Sequence, residues 1–187
     1  MPRAHGRSSP AARSGGRRGR TPDEARLVGR LKRLAPQQKA LLLALQPFSD
    51  SHGRFDRERW RSAFADPDPE AVLKVAAVTG LFNQLVNHLI EMLQVAARLR
   101  GLDISRGEEK PSTPGLLAAV RGDGGLTANQ ESVLKRLQGM RNELQHASPG
   151  VEADEVYDDI LLLARTLKRF AQSHLAWLSS HDIALLE

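Results

Sequence analysis

Between Pro69 and Arg100 the apolar residues return every three or four positions, at Val75, Val78, Phe82, Leu85, Leu89, Met92 and Ala96. That period draws one broad apolar face on a helix and does not fit the alternation of a strand. Asp68 is placed to cap the first turn, Pro69 to open it and Gly101 to end it, so the spacing predicts one long helix over 69–100. A helix of this length has to bury its apolar face against other elements. Composition says what those are: 41% of the residues are apolar but only 4% aromatic, and the apolar set is mostly Leu, Ala and Val, a mixture that favours helices over sheets. The expected fold class is all-α.

Punctuation along the chain divides the rest. Thr21, Pro22, Asp23 and Glu24 read as a helix start, with Thr as cap and acids at the positive end of the dipole. That helix is expected to reach about Ala35, where Pro36 breaks or kinks it, and a second short helix covers 37–46 before Pro47. A short helix over about 56–65 ends in the turn from Asp66 to Pro69. Thr113 and Pro114 open another short helix, which ends in Gly122 to Gly125. Thr127 and Gln130 form a capping box that launches a helix to about Ala147. After the turn at Ser148, Pro149 and Gly150, a last helix runs over about 152–179. Its seam is Val156, Ile160, Leu163, Leu167, Phe170, His174 and Trp177, which reads His174 as a packed core histidine. The expected architecture is an antiparallel bundle of three main helices with small accessory helices. The organisation is a disordered Arg-rich tail over 1–20, a helical N-terminal extension over 21–69 and the bundle over 70–187.

The formal charge of +5, from 27 basic and 22 acidic residues, is unevenly placed. Residues 1–20 hold six arginines, Arg3, Arg7, Arg13, Arg17, Arg18 and Arg20, and no acid, which leaves 21 basic against 22 acidic residues after them. A segment rich in Arg, Gly, Ser and Pro with no apolar period cannot offset the entropy of ordering. It can neutralise phosphates, so these six are candidate RNA-binding residues. The chain has no cysteine, which excludes disulfides and thiolate chemistry and fits a reducing compartment. No apolar stretch approaches the roughly 20 residues that span a bilayer, and the N-terminal segment lacks the apolar core of a signal peptide. A cytoplasmic protein without membrane contact is expected.

Few other patterns carry chemistry. Gly122 to Gly125 lacks the Lys-Ser/Thr of a phosphate-binding loop. His52, His88 and His181 stand apart. Asp154, Asp158 and Asp159 read as the polar face of an exposed first turn, so neither metal nor cofactor is expected. Asn83, Asn87 and Glu91, with His88 beside them, read as a solvated helix face. The segment from Arg141 to His146 differs. Its spacing alone does not single it out, since Arg169 and His174 repeat it, but His174 lies on a seam. With an apolar seam at Val133, Leu137, Met140 and Leu144, Arg141 borders the stripe, while Asn142 and His146 share the adjoining polar face. Imidazole titrates nearest neutral pH and suits proton transfer, and a guanidinium suits the negative charge of a phosphoryl transition state.

Arg141, a polar residue at Asn142 and His146 after three further positions, late in a helical bundle and followed by a turn and a closing helix, resemble the signature of the HEPN superfamily. The likeness covers roughly residues 70–180. It implies a metal-independent endoribonuclease of a toxin–antitoxin or defence system, cutting RNA by 2′-hydroxyl attack. It further implies a homodimer in which two copies of the motif form one site, and a partner antitoxin. Arg141, Asn142 and His146 are then the catalytic set. The competing expectation is a non-catalytic helical module that binds RNA or protein.

Overall fold

The structure, a computed structural model, describes residues 20–104, 112–146, 150–181 and 183. The tail arginines Arg3, Arg7, Arg13, Arg17 and Arg18 lie outside the described residues, whereas Arg20 is described and exposed. Among the described residues six α-helices follow in order: α1 (Pro22–Ala44), α2 (Arg57–Ala65), α3 (Pro69–Leu99), α4 (Thr113–Gly122), α5 (Ala128–Gln145) and α6 (Ala153–Ser179). A single 3-10 turn, Gln46–Phe48, follows α1, and there is no strand among the described residues. The all-α expectation holds. No helix among the described residues is long and apolar enough to cross a membrane.

The starts are set by local chemistry. Thr21 and Glu24 form a capping box at α1, and Thr127 and Gln130 form another at α5, where the Gln130 amide donates to Thr127 Oγ1 at 3.2 Å and the Thr127 amide to Gln130 Oε1 at 2.9 Å. Asp68 caps α3 by accepting from the amides of Glu70 and Ala71.

One expectation fails at Pro36. Instead of two helices, α1 is continuous through it. Proline leaves the carbonyl four residues back without its amide partner, but Lys32 and Pro36 are both exposed, so water reaches that carbonyl. The bundle therefore has four long helices where three were expected.

Ion pairs and hydrogen bonds fix their directions. Asp23 meets Arg98 at 3.6 Å and Arg30 pairs with Glu91, so α1 and α3 are antiparallel. A small cavity brings Leu89, Met92 and Leu93 of α3 to Gly125, Leu126 and Leu134; α5 therefore starts beside the last third of α3 and runs back along it. Gln130 Nε2 donates to Ser173 Oγ at 2.8 Å and Arg136 pairs with Asp159, making α6 antiparallel to α5. The helix α3 touches α1, α2, α4, α5 and α6, and its Val78, Phe82, Leu85 and Ala96 are fully buried.

The two short helices brace the ends. Trp60 of α2 is fully buried, stacks edge-on against Phe48 and Phe55, and donates from Nε1 to the Ala153 carbonyl at 2.8 Å. Arg57 and Arg61 of α2 hold Asp158 and Asp154 of α6. At the other end Arg100 makes a two-pronged pair with Asp123 at 2.9 and 3.1 Å, which holds that carboxyl below its usual range. Gly125 lies against the Trp177 ring so closely that a Cβ there would stand 2.7 Å from it.

Candidate functional site

The motif occupies the last turn of α5. Gln130, Glu131, Leu134, Leu137 and Met140 are buried, whereas Val133 and Leu144 are half-buried. The apolar stripe is thus rotated toward Leu134 from the seam expected at Val133, Leu137, Met140 and Leu144. Glu131 shows why: its carboxylate is covered yet held by Lys135 at 2.7 Å and Arg121 at 2.9 Å, which keep it ionised below its usual range.

Arg141 is half-buried on the flank of this stripe and Asn142 and His146 are exposed. The Arg141 guanidinium donates from Nη1 to Asn142 Oδ1 at 2.8 Å, and Gln138 Nε2 donates to the same oxygen at 3.2 Å. One amide oxygen thus gathers two donors and orients the arginine. No carboxylate pairs with Arg141 among the described residues. His146 is the cap residue, its backbone amide donating to the Asn142 carbonyl at 3.1 Å, and its ring has no hydrogen-bond partner among the described residues. Asn142 and His146 lie one turn apart at this helix end, with Arg141 directly before Asn142.

Three side-chain atoms near this end are buried and find no partner: Arg141 Nε, Gln138 Oε1 and Asn83 Oδ1. The antiparallel register, anchored where Leu89 and Leu93 meet Leu134, sets Asn87 level with Gln138 and Asn83 level with Arg141. These atoms add an unpaired donor and two unpaired acceptors to a level that also holds the buried Phe82, Leu85, Leu137 and Met140. Sequence reading passed over Gln138, although its spacing of four from Asn142 places the two side chains together.

Other sequence readings change here. His88 is buried, not part of a solvated face: its Nε2 sits 2.7 Å from the Arg30 carbonyl, and burial lowers its pKa. Glu91 is exposed but committed to Arg30. Asp159 is likewise not on an exposed turn; it is 2% exposed and paired with Arg136, and burial pushes its carboxyl upward against the arginine's pull. Asp154 and Asp158 do face outward, where α2 covers them with arginines. His174 is buried as expected, with neither ring nitrogen hydrogen-bonded and its pKa pushed down to about 4 by burial.

Comparison with known proteins adds no relative to this geometry: no family model matches the chain, and no match was found among curated proteins or solved structures.

Proposed function

We propose that the chain is a metal-independent endoribonuclease of the HEPN type, acting in a toxin–antitoxin or defence setting as a homodimer. The observation that carries the reading is the Arg141 guanidinium, oriented by Asn142 and free of any carboxylate among the described residues, with Asn142 itself one helical turn from His146. Such a group is prepared for an anion.

The chemistry follows from these groups. The 2′-oxygen of a ribose attacks the adjacent phosphorus, giving up its proton; the bond to the 5′-oxygen breaks and that oxygen takes a proton. The products are a 2′,3′-cyclic phosphate and a 5′-hydroxyl. Arg141 binds the non-bridging oxygens, where negative charge gathers. His146 moves a proton. In a dimer that brings two motifs together, one His146 takes the 2′-proton while the other supplies the leaving oxygen. Leu43, Val72 and Leu73, 51%, 50% and 70% exposed, lie at the His146 end of the bundle and support self-association there.

Purified full-length protein should cleave RNA in EDTA to cyclic-phosphate ends, and His146→Ala should slow cleavage by about 10²-fold or more. Arg141→Lys keeps the charge but loses the forked geometry, and should also be impaired. Equal cleavage by the His146 variant, or none by the wild type, removes the enzymatic reading. One observation favours the second reading, a non-catalytic module that binds RNA or protein: nothing among the described residues fixes the His146 ring.

A further inference from the structure

The four long helices form a ring, α1 to α3 to α5 to α6, in which three neighbouring pairs are packed. The fourth pair, α6 and α1, leaves a groove of about 300 Å³ between them, floored by Leu31, Leu34, Ala35, Leu167, Ala171 and Leu175. Leu31 sits opposite Leu175 and Gln38 opposite Lys168, because α1 and α6 run antiparallel. At helical spacing the α1 wall continues to Leu42, 51% exposed, and the α6 wall to Ala164 and Leu161, both half-buried. From Leu31 to Leu42 the seam is about 16 Å long, three helical turns. Two of its lining residues, Ala35 and Ala171, are alanines, whose small side chains leave room for side chains from outside.

Charge says what can lie there. Residues 25–49 and 160–181 contain no acid at all, although the chain after residue 20 is close to neutral. Lys32 and Lys168 rim the groove, and Lys39 and Arg165 continue the two rims at spacings of seven and three. All four are exposed, and none forms an ion pair among the described residues.

We propose that the α1–α6 groove is a docking site for an acidic amphipathic helix of a partner protein, which closes the bundle as a fifth helix. Its apolar face fills the seam and its carboxylates meet the four rim cations. A second copy of this chain offers the wrong charge, since two like grooves would bring eight cations together. Nucleic acid would satisfy the rims but leave the leucine floor uncovered, and the floor carries no ring on which a base can stack. The groove lies across the bundle from the contact of α3 with α5, so this site and the proposed ribonuclease site stand or fall separately.

The test uses the full chain and a fluorescein-labelled helical peptide of about four turns, with leucines along one face and glutamates on both flanks. Controls are a peptide with lysines replacing the glutamates and a scrambled peptide. By fluorescence anisotropy the acidic peptide should bind saturably and at least about tenfold more tightly than either control. Lys32→Glu with Lys168→Glu, both at exposed positions, should lower its affinity by at least about tenfold while the circular dichroism melt is unchanged. Absence of saturable binding, equal binding of the three peptides, or indifference to the lysine reversals overturns the proposal. So do two other results: a dimer in sedimentation that the same reversals dissociate assigns the groove to a second copy, and displacement of the peptide by a single-stranded RNA that also needs Lys32 and Lys168 assigns it to nucleic acid.

Discussion

His174 shows how a single residue couples packing to pH. Its ring is 4% exposed among Leu89, Leu93, Leu134 and Phe170, and both nitrogens lack partners. The folded chain holds it neutral, with a pKa of about 4 against an ordinary 6.5. The unfolded chain therefore takes up the proton first as pH falls. Stability from this group is complete above 6.5 and is lost between 6.5 and 4, up to about 3 kcal/mol. His174→Leu should remove that loss and, by deleting two unpaired polar atoms, add about 1 kcal/mol at neutral pH. Urea denaturation of both proteins at pH 7.5 and 4.5 checks it; parallel pH profiles would refute it. Asp159 behaves oppositely. Its carboxylate is buried and depends on Arg136, so Arg136→Met should cost about 3 kcal/mol at neutral pH. The cost should shrink toward acid pH, where protonation discharges the raised carboxyl.

At the scale of elements, α1 carries a built-in destabilisation. Pro36 withholds an amide from the Lys32 carbonyl in mid-helix, and its ring is exposed. Pro36→Ala should therefore raise stability by about 1–3 kcal/mol in equilibrium denaturation without altering helix content; an unchanged or lower midpoint would show that the ring contributes packing. This proline also marks what was legible beforehand. Caps at Thr21, Asp68 and Thr127 are local hydrogen-bond chemistry, and the starts of α1, α3 and α5 follow from a few adjacent residues. Whether a proline ends a helix depends on which face it occupies, and that is decided by α3 packing along α1. His88 was hidden for a related reason: α1 covers it at the Arg30 carbonyl, and no local pattern specifies that α1 packs there. Asp159 was partly readable: three residues after Val156 and four before Leu163, it flanks the seam. Its partner Arg136 lies on another helix, which no local pattern specifies. The motif from Arg141 to His146 was legible as a polar flank, but the stripe it borders had its centre at Leu134, shifted by the two cations that allow Glu131 to be covered.

For the molecule as a whole, the decisive quantity is where charge sits. Beyond residue 20 basic and acidic residues nearly cancel, yet acids gather at the start of α3 and in the first turns of α6, while α1 after its first turn and the rest of α6 are basic. The six tail arginines add to a body that already has a cationic side, so any RNA affinity has two sources with different reach. Phosphate contacts release counterions, and each contributes about 0.7 to the slope of log affinity against log salt on a single strand. Deleting residues 2–20 removes all six arginines, so the slope should flatten by up to about four if every one binds a phosphate. The deletion leaves Thr21 and Glu24 to cap α1, and the melting temperature should stay put. Filter binding of a single-stranded RNA across a salt series measures the slope directly. If the slope is unchanged, phosphate contacts come from the folded body alone, and the tail contributes nothing to nucleic-acid affinity. If it flattens while the EDTA-resistant cleavage rate at saturating RNA stays the same, the tail acts in capture and Arg141 with His146 in chemistry, a division that a drop in that rate would contradict.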